Sequence, residues 1–430
     1  MILTGSLLLF GGFVLLLACG APLAIALGIP GALVILVEGL GIMSVPTNTY
    51  AGIAKYPLLA LPMFVLAGLI FERAGVALRL VRFASALVGN RRAALAIVAI
   101  LVCMFLGGIS GSGPADAAAA ATVLIPAMAR QGYPKAFSAS LIAAAGSTAI
   151  LIPPSVAFII YSVLVPSASV PALFAGGLIP GILAGLSLIL PTLYFSRRDH
   201  FGAPPEEERL PLWRSFTEAS WGLVTPAIIL GGLGLGVFTP TEAAVVAVVY
   251  GVFVGMVVYR SLSLASLWQA LVESAEISAV VMIIIALATV FAHAGSTLGA
   301  FDALAGWLIG MGHNETAMLL LINVLLLIAG MLLDAISIYL VFLPILLPIV
   351  KAFHWDVVWF GIVMTMNLAI GQFTPPMAVN LMVTTKIGGV SMESTVPWVL
   401  WMVAAMALAL LAVTFMPQLA TWLPNALGYR

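Results

Sequence analysis

Runs of about 20 consecutive apolar residues follow one another along the whole chain, each long enough at about 1.5 Å per residue to cross a hydrocarbon core of roughly 30 Å. A chain patterned in this way has lipid as its solvent, and its backbone must find its hydrogen bonds internally, as helices. Composition says the same: of 430 residues, 63% are hydrophobic and 7% charged, whereas a soluble domain carries roughly a quarter of its residues as charges. No stretch is left for an extramembrane domain. The formal net charge is zero, which gives no reason to expect nucleic acid or a strongly charged partner. Cys19 and Cys103 lie in apolar runs without metal-binding or disulfide spacing, and both read as packing residues. Leu16-Leu17-Ala18-Cys19 has the look of a lipoprotein cleavage box, but no Lys or Arg precedes it, so the first run reads as a membrane helix.

Hydropathy and helix breakers together place helices at about 7–18, 23–40, 58–72, 135–165, 172–195, 221–237, 242–259, 277–294, 357–385 and 396–415. Two further segments, 93–130 and 316–353, are interrupted at their middles by small and polar residues. That pattern predicts hairpins that enter the membrane and return to the same side, since irregular backbone at membrane depth survives only against protein or a water-filled cavity. With both hairpins treated as re-entrant, 13 of the 16 Lys and Arg fall on one side, and only Lys55, Lys351 and Arg430 fall on the other. The positive-inside rule then makes the first group cytoplasmic and places both termini outside. If either hairpin crossed, every later loop would change sides and the segregation would be lost.

The chain also matches itself without gaps at an offset of 222 residues: Gly108 falls on Gly330, Pro126 on Pro348, Pro153-Pro154 on Pro375-Pro376 and Ser169 on Ser391. Each half reads as two helices, a third helix, a hairpin, a long broken helix and one more helix. Five crossings per half is odd, so the second half enters from the opposite side and the repeats are inverted. The expected organisation is a first repeat at 1–199, a cytoplasmic linker at 200–220 containing Pro204-Pro205 and Glu206 to Glu208, and a second repeat at 221–430. The segments 43–55 and 261–276, each mildly amphipathic, are expected to lie along the membrane surface.

The chemistry sits at the interruptions. The first hairpin tip is Gly107-Gly108-Ile109-Ser110-Gly111-Ser112-Gly113-Pro114, opposite a break running from Gly146 through Ser147, Thr148, Ala149 and Ile152 to Pro153-Pro154-Ser155. The second tip runs from Gly330 to Ser337, opposite a break from Asn367 through Gly371-Gln372-Phe373-Thr374-Pro375-Pro376-Met377. Two successive prolines remove two amide donors and free the carbonyls upstream of them. A dehydrated sodium ion suits carbonyl and hydroxyl oxygens, and inverted repeats place such sites at their interface, so one sodium ion per half is expected. Asp116 and Asp334 lie at membrane depth, where an ionised carboxylate is costly and points to function. Asp334 is the stronger candidate to hold its hairpin or a cation, and Asp116, just after Pro114, reads as a cap on the returning arm. Ser147, Thr148, Asn367 and Gln372 are the polar side chains at the breaks that could meet a substrate.

Other classes fail on their motifs. The four histidines have no liganding pattern, and no phosphate-binding Lys-Ser/Thr loop is present. Gly108-Ile109-Ser110-Gly111 matches a rhomboid protease motif, which would make Ser110 a nucleophile, but no histidine stands at the spacing its base requires. The chain is not expected to be an enzyme.

The tip Gly107 to Ala117, the break Gly146 to Ser155 and the run Gly371 to Asn380 together resemble the large membrane subunit of TRAP transporters, the tripartite ATP-independent periplasmic family, over about 7–415. The resemblance implies an all-α polytopic protein of the bacterial inner membrane, and a sodium-driven elevator in which hairpins and broken helices move against a scaffold of the remaining helices. It implies two protein partners, a small four-helix membrane subunit and a periplasmic substrate-binding protein, besides the surrounding lipid. Carried onto this chain, one sodium site would use Gly330, Gly371, Thr374 and Met377, with Asp334 nearby. The repeat offset then maps a second onto Gly108, Ala149, Ile152 and Ser155, with Ser110 and Ser112 beside them. Substrates in the family are mostly small carboxylates such as C4-dicarboxylates and sialic acid. The alternative is a stand-alone sodium- or proton-coupled carboxylate symporter of the same architecture, which would work without a binding protein.

Overall fold

The computed structural model describes residues 2–202, 211–311 and 314–429. Glu206 to Glu208, Arg209, Pro204-Pro205, His313 and Arg430 lie outside the described residues. Among the described residues all regular structure is helical, and eight helices are long and apolar enough to cross a membrane.

Both interrupted segments form hairpins. The first pairs Ala94–Ser110 with Gly113–Arg130. Its turn needs only two residues because Gly111 takes φ +63°, a conformation that costs glycine little. No side chain could stand at Gly111, since a Cβ would run into the Pro154 carbonyl oxygen. The second pairs Glu315–Leu332 with Ala335–Ala352. Here no glycine makes the turn; Asp334 caps the returning arm by accepting from the backbone N–H of Ile336 at 3.1 Å and from Ser337.

Each hairpin is followed by a helix broken at its proline pair, and both Pro-Pro bonds are cis. The first runs Lys135–Ser147, a short 3-10 turn Thr148–Ile150, then Val156–Leu164; the second runs Val357–Gly371, then Val379–Gly388. Val379–Gly388 packs on both Lys135–Ser147 and Gly113–Arg130, so the hairpins and broken helices of the two halves form one interlocked body. A second group surrounds it: Leu23–Val37 and Ser44–Ile53 pack on Leu264–Thr297, which also packs on Ala60–Arg73, and the last packs on Pro240–Phe253.

The structure departs from the sequence expectations where charge interrupts hydropathy. Leu264–Thr297 is one helix of 34 residues, not a surface segment at 261–276 followed by a separate helix. Its polar first turns are used in pairing: Glu273 accepts from Arg73 at 2.6 Å, and the Ser274 hydroxyl donates to the Pro62 carbonyl at 2.9 Å. Val76–Val88 was missed because Arg79 and Arg82 break its apolar run, yet Val76, Ala77, Leu80 and Ala84 bury one face. The helix Leu212–Gly234 starts inside the segment expected to be linker, and Ala300–Met311 and Gln418–Ala426 are additional helices. Cys103 is buried as expected, but Cys19 is exposed at the end of its helix.

Arg73, Arg79 and Arg82 gather at one end of the molecule. Arg79 stacks its guanidinium 3.6 Å from the centroid of the Tyr259 ring, and Arg82 reaches Glu218 at 3.4 Å.

Candidate functional site

In each half the hairpin tip touches the break of its own broken helix, backbone against backbone. A Cβ on Gly371 would lie 2.5 Å from the Cα, carbonyl carbon and oxygen of Gly330, and one on Gly107 would lie 2.7 Å from the Cα of Ala149. The repeat mates of Gly330 and Gly371 are Gly108 and Ala149, yet the glycine facing Ala149 is Gly107; Gly108 faces Pro226 of the helix Leu212–Gly234 and Ile152. The first half is thus turned by one residue relative to strict repetition. In the second half the Met377 N–H also donates to the Met331 carbonyl at 3.1 Å, tying break to tip.

The proline pairs free carbonyls, and the fates of those carbonyls define the site. In a continuous helix Pro153 and Pro154 would answer the carbonyls of Ala149 and Ile150. The Ser155 hydroxyl takes over Ile150 at 2.6 Å and then accepts from the Phe158 N–H, capping the second segment. At the other break the Thr374 N–H donates to the Gly371 carbonyl at 3.2 Å, and the Asn380 N–H reaches back to the Gln372 carbonyl at 2.9 Å. The Thr374 hydroxyl donates to Ile370 at 2.6 Å, which leaves its oxygen lone pairs available.

Between the two tips and the surrounding helices lies a cavity of about 440 Å³, within the range of small-molecule sites, which run from about 300 to 1,000 Å³. Ser110 to Ala115 of the first hairpin and Gly330 with Leu332 to Ser337 of the second line one wall, with Gly371, Gln372 and Met377 from the second break. The opposite wall is apolar and comes from Leu61, Val65, Ile277 and Val281 of the surrounding helices. Of the four polar side chains singled out as substrate contacts, only Gln372 lines the cavity. Ser147 and Thr148 are buried and donate to the carbonyls of Ala144 and Ala145 in their own helix. Asn367 is buried in a chain of side-chain bonds, donating to Asn323, which donates to Thr414.

Of the roles expected for the two aspartates, the cap at Asp116 is the one that does not form. Asp334, exposed beside the cavity, is the helix cap. Asp116 caps nothing: it is buried at 3% exposure, accepts from the Ser110 hydroxyl at 2.6 Å, and leaves Oδ2 without a partner. Two further orphan acceptors point to a residue that sequence reading passed over. The side-chain oxygens of Gln372 and Asn380 are buried and unpartnered, and both converge where a Cβ on Gly113 would stand. Asn380 was visible only as the end of the Gly371 to Asn380 run; its proximity to the first hairpin is a product of the fold.

Among the described residues the chain is all-helical, and two hairpin tips and two broken helices enclose one cavity. The whole-chain fold is similar to that of the Alcanivorax borkumensis YdaH transporter, with a TM-score of 0.63 at 16% identity, covering 97% of this chain and 99% of that one. The chain belongs to the family of the DctM component of tripartite ATP-independent periplasmic transporters, whose model matches residues 10–419. The C4-dicarboxylate TRAP transporter large permease protein DctM of Pseudomonas aeruginosa is 39% identical over 399 residues, 93% of each chain. The isethionate TRAP transporter permease protein DctMQ of Oleidesulfovibrio alaskensis is 39% identical over 413 residues, which cover 96% of this chain but 65% of that longer one. The family is one of transporters, so Ser110 is not a catalytic nucleophile.

Proposed function

We propose that this chain is the transport subunit of a tripartite system that takes up a small organic carboxylate across the bacterial inner membrane, driven by sodium. The pairing of each hairpin tip with a proline-broken helix carries the reading. One sodium ion would sit at Gly330, Gly371, Thr374 and Met377 with Asp334 beside it. The other would sit at Ala149, Ile152 and Ser155 with Gly108, Ser110 and Ser112. Backbone carbonyls and hydroxyls at these positions form an oxygen-only donor set suited to a hard monovalent cation. The substrate would occupy the 440 Å³ cavity, with Gln372 as its polar contact. The hairpins and broken helices would move as one body against the surrounding helices.

The partners are a small four-helix membrane subunit and a periplasmic binding protein that delivers the substrate. The names of relatives that carry C4-dicarboxylates and isethionate support a small anionic substrate. Uptake into proteoliposomes containing both membrane subunits, with binding protein outside, tests the coupling. Replacing sodium by potassium at fixed pH should abolish accumulation; equal uptake in potassium rules sodium coupling out. Thr374→Phe should weaken the sodium dependence far more than Leu408→Phe, whose side chain is 67% exposed on the outer surface. Uptake by this chain without any binding protein would instead identify a stand-alone symporter.

A further inference from the structure

The end of the molecule opposite the arginines is nearly free of positive charge. In the topology expected from the sequence, Lys55 and Lys351 are the described Lys and Arg that fall on this side. Lys55 and Lys351, far apart in sequence, line the same crevice, with a volume of about 370 Å³. One side of the crevice is the stretch Ala288 to Asp302 of the surrounding helices, and the other is Leu340 to Lys351 on the returning arm of the second hairpin.

Lys55 donates at 3.0 Å to the carbonyl of Val163, in the last turn of Val156–Leu164, and so spans from the surrounding helices to the broken helix. Burial lowers its pKa, a cost that a neighbouring anion would relieve. Lys351 stands exposed in the last turn of its helix, and neither lysine has an ion-pair partner among the described residues. Asp302, exposed, is the carboxylate among the lining residues. Along the hairpin arm the lining is apolar, with Leu340, Leu343, Pro344 and Leu347, and Thr289 and Ser296 stand on the Leu264–Thr297 side. From Lys351 down to Leu340 the helix descends about 16 Å at 1.5 Å per residue, roughly half the thickness of the hydrocarbon core.

We propose that this crevice binds one anionic phospholipid, its phosphate between Lys55 and Lys351 and an acyl chain along Leu340, Leu343 and Leu347. A free carboxylate or phosphate would use the lysines but leave the apolar hairpin side of the crevice unmatched, whereas an amphiphile matches both. The lipid would bridge the second hairpin and the helix Leu264–Thr297, which belong to the two bodies that the motion proposed above would move apart.

Native mass spectrometry of the purified chain, equilibrated with equal phosphatidylglycerol and phosphatidylcholine, reads the site without any transport step, so it stands or falls apart from sodium coupling. The wild type should retain one phosphatidylglycerol in preference to phosphatidylcholine. Lys55→Gln and Lys351→Gln should each reduce that preference about fivefold, the weight of one cation near an anionic headgroup. Lys386→Gln, on the other face, should leave it unchanged. If Lys55→Gln does not fold, Lys351→Gln alone, at an exposed helix end, carries the test. Undiminished preference in folded Lys351→Gln overturns the proposal. Displacement of the retained lipid by millimolar succinate or inorganic phosphate also overturns it, because the crevice would then be a site for small free anions.

Discussion

Gly371 has no room for a side chain, and the atoms in its way are backbone, which cannot rotate aside. Gly371→Ala should therefore push the second hairpin from its break, at a cost on the order of 1–3 kcal/mol, as overpacking usually does. Gly306 offers the contrast: it lies in a helix with nothing within 4 Å of an added Cβ. Gly306→Ala should stabilise by about 0.5–1 kcal/mol through helix propensity. Thermal unfolding in detergent measures both, and a Gly371→Ala transition at or above that of Gly306→Ala would contradict the backbone contact. At this scale the sequence is informative when a residue acts through its own backbone. Proline lacks a donor and glycine lacks a Cβ wherever they stand, so tips and breaks could be located in advance. The partners of Asn380, Asn323 and Asp116 come from distant segments, and no local pattern names them. Local sequence put a cap at Asp116, and only the fold makes Asp334 the cap and Asp116 a buried acceptor.

Individual elements were legible in proportion to their apolarity. The hairpins 93–130 and 316–353 and both broken helices match the observed segments to within a few residues. Val76–Val88 did not reveal itself because an amphipathic helix carrying two arginines resembles a loop when hydropathy alone is followed. The same ambiguity split Leu264–Thr297 in two, since only the packed structure provides Arg73 and Pro62 as partners for its polar side chains. The second hairpin is held to its broken helix by Asn323 and Asn367, and to Val396–Phe415 by the bond from Asn323 to Thr414. Asn323→Ala leaves buried polar groups unanswered and should cost about 1–3 kcal/mol. Thr414→Val in that background should add little, because the bond it accepts from Asn323 is already lost and its remaining bond, to the Leu410 carbonyl, lies within its own helix. Fully additive losses in a double-mutant cycle of melting temperatures would show that the network is not coupled.

For the molecule as a whole, the charge segregation makes a directional claim that labelling can check. In a Cys19→Ser background, which removes the exposed native thiol, Ser296→Cys should react with an impermeant maleimide from outside intact spheroplasts. Asp199→Cys should react only after permeabilisation. The opposite result would reverse the orientation and place both termini in the cytoplasm. The internal repeat foretold two hairpins and two breaks but not the one-residue turn that puts Gly107 rather than Gly108 against Ala149. Repetition of sequence sets matching elements, while each half packs against different neighbours.

The unbroken helix Leu264–Thr297 has a jointed counterpart in the first half, where Ser44–Ile53 and Ala60–Arg73 are separated by Ala54, Lys55 and a 3-10 turn. A frame with one articulated corner and one stiff corner yields unequally to lateral pressure. A thinner bilayer should therefore be accommodated mostly by flexing at Ala54 and Lys55. The crevice that Lys55 borders would change width with the membrane itself.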